Sequence, residues 1–319
     1  MSRGIRATAW ALVVAGAAAP ALRRRMQLRP VAVLGSAGLA PVALCIAAPR
    51  SRWRELAVCG LNMWAYMAAY ELPHDDPQRL AARAHVDYPI ALDRALGLGV
   101  PPTVRLQQAY AREGSISRFE RVLVWCHWSW FMVPHATLAY VLLRDGNRFP
   151  ASAARMYSVF DLGAVFYWAL PTAPPWWAAS HGRLDDRVGD RRADVGGEVV
   201  AVRRLMIEYG EQFWGERWAP LYDVFGGNPL AAMPSLHFAT SLMAAHLLSE
   251  VGPIAGGLGW TYTMTLGLAL VYLGEHYAVD VLAGAALTEA IRLSAPAITP
   301  PARRFARTLA MLQAHAAVV

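Results

Sequence analysis

Two stretches of the sequence decide how it folds: AAMPSLHFATSLMAAHLL at residues 231–248 and LGEHYAVDVLAGAAL at residues 273–287. In each, a histidine stands where an otherwise apolar segment begins. Ionisable groups are costly inside a membrane, so His237 and His276 are candidate functional residues. Asp280 follows His276 by four residues and shares one helix face with it, where its carboxylate can hold one ring nitrogen. Two histidines and an orienting carboxylate suffice for covalent acid–base chemistry.

The composition indicates a membrane protein. Hydrophobic residues make up 56% of the 319 positions and charged residues 17%, whereas a soluble domain has about 25% charged residues. The net charge is +7, but the arginines are scattered between apolar segments, which favours membrane flanks over a nucleic-acid partner. The three cysteines have no metal-ligand spacing, and their odd number excludes a complete disulfide framework.

Seven segments have the apolar character of membrane spans, which need about 17–25 residues in a helix. A further segment, 7–22, is shorter, and arginines on both sides of it favour a retained membrane helix over a cleaved signal peptide. We therefore predict an all-α fold, a polytopic membrane helix bundle. The seven segments are 31–48, 55–71, 122–143, 154–172, 232–249, 254–273 and 277–293.

Two long polar connections, 73–121 and 173–231, separate groups of these segments. The segment before the second connection ends at one membrane face, and the span after the connection starts from that same face. The next span returns to it, so His237 and His276 both lie there. We call this membrane side the site face. A wrong span count would place the two histidines on opposite faces and remove the site.

The distribution of arginines predicts an orientation. By the positive-inside tendency, the arginine-rich face is cytoplasmic, which places the site face outside the cytoplasm, at the plasma membrane. The arginines between residues 23 and 29 disagree with this orientation. The arginines that support it are Arg50, Arg52, Arg54, Arg144, Arg148, Arg155, Arg303, Arg304 and Arg307.

The motifs, in this order, resemble the membrane-bound type 2 phosphatidic acid phosphatase superfamily, whose fold is shared with vanadium haloperoxidases. The resemblance is closer to its inositol phosphorylceramide synthase branch, which has Pro-Ser-Leu-His where phosphatases usually have Pro-Ser-Gly-His. That branch also has an upstream Ala-Pro-Pro-Trp segment, matched here at residues 173–176. The resemblance covers about residues 122–293.

The resemblance implies a six-helix catalytic core with one or two extra N-terminal helices. On this basis we expect N-terminal membrane helices over 1–54, a catalytic membrane domain over 55–293 and a C-terminal tail over 294–319. It also implies catalysis without a cofactor or a metal ion. The expected partners are membrane lipids.

The resemblance assigns a role to each motif residue. His276 would be the nucleophile and form a phosphohistidine intermediate, and Asp280 would orient and stabilise its imidazolium. His237 would protonate the leaving group and then act as a base towards the acceptor. The position of His237 near a helix N-terminus, where free N–H groups and the helix dipole favour a phosphate, agrees with these roles.

The sequence departs from the phosphatases of this superfamily in its phosphate-binding arginines. It lacks their Lys-x6-Arg-Pro motif, since its Arg29-Pro30 pair lies far upstream and has Leu22 at the lysine position. The Ser-Arg that opens their third motif would fall on residues 269–270, which are Ala and Leu. The synthase branch also lacks these arginines. Some basic group must still stabilise the phosphoryl charge. The expected substrate-binding residues are Arg203, Arg204, Ser235, Tyr277 and Trp176.

Three other histidines lie within apolar segments: His127, His135 and His246. A single histidine on an apolar helix is usually held by a structural hydrogen bond, so we expect these three to be structural.

Three functions remain open at this point. The favoured one is an integral-membrane lipid phosphotransferase, which moves a phosphoryl-linked head group from a phospholipid or polyprenyl-linked donor to a hydroxyl acceptor. The alternative is a metal-independent lipid or polyprenyl phosphate phosphatase, in which water is the acceptor. A non-enzymatic transporter is disfavoured, because the polar groups collect at one face and no symmetry-paired broken spans occur.

Overall fold

The computed structural model of the protein describes residues 2–112, 114–184, 193–195, 198–200, 202–225 and 227–317. The described residues are almost entirely helical. The two strands β1 (Ala193–Val195) and β2 (Glu198–Val200) pair as a short antiparallel hairpin in the second polar connection. The helices are α1 (Ser2–Leu22), α2 (Pro30–Ala47), α3 (Arg52–Glu71), α4 (Pro77–Arg83), α5 (Asp87–Leu96), α6 (Pro102–Tyr110), α7 (Arg118–Ser129), α8 (Val133–Arg144), α9 (Phe149–Ala169), α10 (Pro175–Ser180), α11 (Leu205–Trp214), α12 (Trp218–Phe225), α13 (Leu236–Val251), α14 (Pro253–Tyr272) and α15 (Ala278–Ala317).

Four helices are long and apolar enough to cross a membrane. They agree with the predicted spans 31–48, 254–273 and 277–293, and they show that the segment predicted at 7–22 also has spanning length. The helices at the other four predicted spans, 55–71, 122–143, 154–172 and 232–249, do not reach this combination of length and hydropathy. The chain is therefore an integral membrane protein. The four helical segments are Gly4–Leu22, Pro30–Ala47, Pro253–Tyr272 and Ala278–His315.

Two predicted segments differ from the observed helices. The segment predicted as one span at 122–143 forms α7 and α8, which are separated by residues 130–132. Pro134 follows the break, and a proline disfavours helix at the residue before it and removes one backbone donor. The last helix does not end near residue 293 but continues to Ala317, so most of the expected C-terminal tail is helical.

Helix α13 lies at the centre of the bundle, in contact with α8, α9, α14 and α15. It is only 16 residues long, and ten of these are buried. Its start lies close to α15, because a Cβ atom at Gly284 would stand 2.5 Å from the Ser235 carbonyl oxygen. Glycine at this position therefore allows the two helices that carry the motif histidines to approach one another.

The two polar connections meet at the start of α13. Thr172 forms parallel bridges with His85 in the first connection and with Ala231 in the second. The amide of Gln107 donates to the Arg203 and Tyr272 carbonyl oxygens over 3.0 and 2.8 Å. These contacts bring both connections to the end of the bundle where α13 and α15 begin, as the span count predicted.

Candidate active site

His237 and His276 are in direct contact. His237 Nδ1 lies 3.2 Å from His276 Nε2, although the residues are 39 positions apart. His237 stands on the first turn of α13, whose N-terminus is capped by the Ser235 hydroxyl, which accepts from the Phe238 N–H over 3.3 Å. His276 lies two residues before the first residue of α15, in the preceding turn, and is only 4% exposed. Two imidazoles thus face one another at the starts of two adjacent helices.

Asp280 lies behind His276, on the side away from His237 Nδ1. Its Oδ2 is 3.5 Å from His276 Nδ1 and accepts from the Tyr277 N–H over 2.9 Å. The Asp280 carbonyl oxygen accepts from the Ser235 N–H over 2.9 Å, which connects α15 to the start of α13. A separation of 3.5 Å is long for a hydrogen bond, and catalytic contacts of this kind shorten when substrate binds. The carboxylate therefore has the position needed to orient His276.

A second carboxylate supports the start of α15. Asp93, on α5 in the first connection, is fully buried, and its Oδ1 accepts from the Val279 N–H over 2.9 Å. Burial raises the pKa of Asp93 to about 6, and the nearby Asp280 adds to the rise, while bonds from the Val279 and Ala278 N–H groups oppose it. A carboxylate at a helix N-terminus complements the unpaired N–H groups and the helix dipole. Asp93 thus anchors the turn that carries Asp280.

A charged and aromatic group borders the histidines. The Arg204 guanidinium carbon lies 3.5 Å from the centre of the Trp176 ring, and Arg204 also donates to the Tyr222 hydroxyl. Arg204 Nε is 3.8 Å from Glu275 Oε1, and neither atom has a hydrogen-bond partner among the described residues. Burial raises the pKa of Glu275, and Arg204 opposes this rise. Both groups therefore have capacity to bind a ligand beside His276.

Arg203 is bound differently from its neighbour. Its Nε and one terminal nitrogen donate to the Glu208 carboxylate, and the other terminal nitrogen donates to the Arg112 carbonyl oxygen over 2.6 Å. The side chain is 6% exposed. We predicted Arg203 and Arg204 together as phosphate-binding residues. These contacts favour a structural role for Arg203 and leave Arg204 as the arginine with capacity for a phosphate.

The other predicted substrate-binding residues differ in how they meet the site. The Trp176 ring supports Arg204, and the Trp176 backbone N–H donates to the Gly274 carbonyl oxygen over 3.1 Å. Ser235 and Tyr277 are both fully buried, the first as the α13 cap and the second in an apolar cluster with Val104. The Ser235 hydroxyl is therefore used in the helix cap, whereas the Tyr277 hydroxyl is buried without a hydrogen-bond partner among the described residues.

A third histidine, His127, joins the cluster. Its ring stacks on His237 at a centroid distance of 4.9 Å and an interplanar angle of 28°. Trp130 also packs on His237, with ring centroids 4.1 Å apart, and the Trp130 indole N–H donates to the Thr240 hydroxyl over 2.8 Å. We expected His127 to be held by a structural hydrogen bond. The structure instead leaves both of its ring nitrogens buried and without a partner among the described residues.

A family model described as the PAP2 superfamily matches residues 90–293, more than half of the chain. The chain belongs to the PAP2 superfamily. The membership confirms the resemblance carried by the two histidine motifs. The match includes His127, Asp93 and the whole of α13 and α14, so all parts of the cluster described above lie within the family domain.

Among curated proteins, this PAP2 chain is similar to fungal inositol phosphorylceramide synthases. It is 29% identical over 135 residues to the catalytic subunit aur1 of Schizosaccharomyces pombe, over 42% of this chain and 30% of that protein. It is 28% identical over 129 residues to the AUR1 subunit of Saccharomyces cerevisiae, over 40% and 30% of the two chains. The matched part thus spans about a third of each relative or less. No solved structure matches the chain.

Three residues of the site were not predicted as site residues from the sequence, and one of them, His127, was expected to be structural. Glu275 lies inside the second motif, and its position next to His276 in the sequence could have identified it as a site residue. His127 is the histidine that precedes the break between α7 and α8, and that break was not predicted. Asp93 reaches Val279 across 186 positions, and nothing in the sequence of the first connection indicates that contact.

Proposed function

We propose that this PAP2 protein is a lipid phosphotransferase that moves a phosphoryl-linked head group to a hydroxyl acceptor through a phosphohistidine on His276. The observation that carries the proposal is the 3.2 Å contact between His237 Nδ1 and His276 Nε2, with the Asp280 carboxylate on the other nitrogen of His276. This arrangement puts His237, which can carry a proton, beside the nucleophilic Nε2 of His276, and the Asp280 carboxylate sets the tautomer of the His276 ring.

In the first half-reaction, Asp280 accepts the Nδ1–H of His276, so that the lone pair is on Nε2. Substrate binding opens the contact between the two rings, and Nε2 attacks the phosphorus of the donor lipid. The P–N bond forms as the P–O bond to the leaving alcohol breaks. His237 gives its proton to the departing oxygen and becomes neutral.

In the second half-reaction, the acceptor hydroxyl loses its proton to the neutral His237. Its oxygen attacks the same phosphorus, the P–O bond forms and the P–N bond to His276 breaks. Both histidines then have the protonation states with which they began. Water in place of the acceptor alcohol would give hydrolysis through identical steps, so the two outcomes differ only in the attacking oxygen.

Arg204 is the residue that we place on the phosphoryl oxygens. Charge builds up on these oxygens during transfer, and a positioned cation lowers the free energy of that state. Trp176 holds the guanidinium by a cation–π contact at 3.5 Å, which orients it without using its N–H donors. Glu275 competes for the same cation at 3.8 Å and is the contact that an arriving phosphate would replace.

Transfer is favoured over hydrolysis by the similarity to inositol phosphorylceramide synthases and by the Pro-Ser-Leu-His form of the first motif. The second candidate function is that of a metal-independent phosphatase acting on a lipid or polyprenyl phosphate. We also propose a six-helix core of α3, the α7–α8 pair, α9, α13, α14 and α15, with α1 and α2 as the extra N-terminal helices. The site face would then lie outside the cytoplasm, at the plasma membrane.

The test uses the purified full chain in lipid nanodiscs with phosphatidylinositol, phosphatidylglycerol or phosphatidic acid labelled at phosphorus. A long-chain diol and ceramide are supplied as acceptors, and products are separated by thin-layer chromatography. The proposal expects label in a new phospholipid that depends on the added acceptor. Release of free labelled phosphate or head-group phosphate alone would instead support the phosphatase.

A further inference from the structure

The imidazole of His127 is buried in an unusual state. It is 7% exposed, and both of its nitrogens lie out of contact with solvent and lack a hydrogen-bond partner within the described parts of the chain. A neutral imidazole always has one donor and one acceptor. An unpaired buried polar group destabilises the folded state, so two of them on one side chain are a substantial loss of stability.

A structural role does not account for this loss. His246, on another surface of the bundle, shows the contrast, since its Nε2 lies 2.6 Å from Glu289 Oε1. His127 has no comparable bond among the described residues, and its position is fixed by stacking on His237. A phenylalanine at this position would also offer an aromatic ring to His237, but without polar nitrogens. The polar atoms of His127 are therefore available to a ligand.

The neighbours of His127 indicate which part of the ligand it meets. The His237 ring contacts His127 at 4.9 Å and His276 at 5.3 Å, between ring centres. In the proposed function, on which this inference rests, His237 exchanges its proton with the oxygen that leaves or enters at phosphorus. That oxygen must lie beside His237, and the ring stacked on His237 is within reach of it.

We propose that His127 is a third histidine of the site and hydrogen-bonds the alcohol oxygen that leaves in the first half-reaction and enters in the second. The departing and the arriving alcohol occupy the same place, because the second half-reaction reverses the first. Two unpaired nitrogens give His127 a donor and an acceptor for the two states of that oxygen. Within the described ranges no group of three or more side chains is arranged to hold a metal ion, so the histidine cluster is assigned to hydrogen bonding.

The experiment compares His127→Phe and His127→Asn with the wild type in the labelled-lipid assay and in thermal unfolding. His135→Phe is the matched control, since His135 lies just beyond the helix break and stacks on Phe160 at 6.2 Å. We expect His127→Phe to unfold at the same or a higher temperature, because it removes two unpaired groups. Its turnover should fall about 10- to 100-fold, with partial recovery in His127→Asn, while the control keeps wild-type turnover.

A second measurement separates contact with the oxygen from a general distortion. With a p-nitrophenyl phosphodiester donor the leaving oxygen needs little help, so the loss in phosphohistidine formation should be clearly smaller than with the lipid. An equal loss with both donors would overturn the inference, as would wild-type turnover in His127→Phe. Failure of both variants to fold would show a structural histidine and overturn it too. A wild-type protein that turns over no lipid would instead refute the proposed function itself.

Discussion

The two ends of α13 differ in whether their charged and polar groups have bonding partners. At its C-terminal end, both Glu250 carboxylate oxygens bind Arg155, over 2.6 and 2.9 Å, and the Glu250 carbonyl oxygen accepts from Arg148 over 2.9 Å. At its N-terminal end, His237 lies among polar groups of which several lack partners in the described structure, on His127, Arg204 and Glu275. The paired end has the contacts expected of a stable membrane flank.

This difference indicates at which end of α13 a ligand binds. Buried polar atoms are nearly always paired, so a cluster of unpaired ones at one end marks a place that a bound group would complete. The same comparison predicts how mutations divide. Changes at the N-terminal end should reduce activity with little effect on folding, and changes at the C-terminal end should do the reverse.

The largest effect is expected from His276→Ala. It removes the proposed nucleophile, and losses of this kind are on the order of 10³-fold or more. His246→Ala is the matched control, because His246 also lies in contact with α15 but binds Glu289. Labelled-lipid turnover measures both, and thermal unfolding should show a folded His276→Ala protein. Turnover above a tenth of wild type in His276→Ala would exclude the phosphohistidine mechanism.

The next largest effect separates the two adjacent arginines. Arg204→Ala should lower kcat by about 10²-fold, because one charged donor to the transition state is lost. Arg203→Ala should chiefly lower the unfolding temperature, because it leaves Glu208 and the Arg112 carbonyl oxygen without their partner. Arg217, exposed in the same connection, supplies the control Arg217→Ala. If Arg203→Ala lowered kcat at an unchanged unfolding temperature, the assignment would be reversed.

The motif residues of the site could be predicted because the sequence contains them in order. His237 and His276 start apolar segments separated by one complete helical hairpin, so they must return to one face. Asp280 was predicted from its four-residue spacing, although His276 lies in the turn before α15 and not on the helix itself. The break at residues 130–132 was not predicted, because the apolar run continues through it and only Pro134 marks it.

Contacts made through the polar connections were beyond prediction for a different reason. Asp93 and Gln107 lie on short helices of ten and nine residues, and each bonds to backbone more than 90 positions away. Which backbone N–H or carbonyl remains free depends on where α14 ends and α15 begins. The long C-terminal helix was missed because Pro296, Pro300 and Pro301 are strong signals for a helix end, yet α15 contains all three.

A smaller effect is expected from Asp93→Asn, and it depends on pH. Burial raises the pKa of Asp93 from 3.8 to about 6, so Asp93 ionises at a lower pH in the unfolded chain than in the folded protein. The contribution of Asp93 to stability is therefore fully present below about pH 4 and is lost as the pH rises through about 6. Asparagine can still accept the Val279 N–H bond but does not titrate. The unfolding temperature of the wild type relative to Asp93→Asn should fall between pH 4 and 6.5, and parallel curves would contradict the burial of an ionisable Asp93.

The smallest effect tests the paired end of α13. Arg155 and Glu250 form a two-bond ion pair, but their side chains are 17% and 38% exposed, so solvent screens much of the attraction. The coupling free energy from a double-mutant cycle of Arg155→Ala and Glu250→Ala should be about 0.5–1 kcal/mol of unfolding free energy. Lipid turnover should be unchanged in all three variants, because the pair lies at the opposite end of α13 from His237. A fall in turnover without a fall in stability would show that the C-terminal end of α13 also serves function. The contrast between the two ends would then no longer support placing the ligand at the N-terminal end.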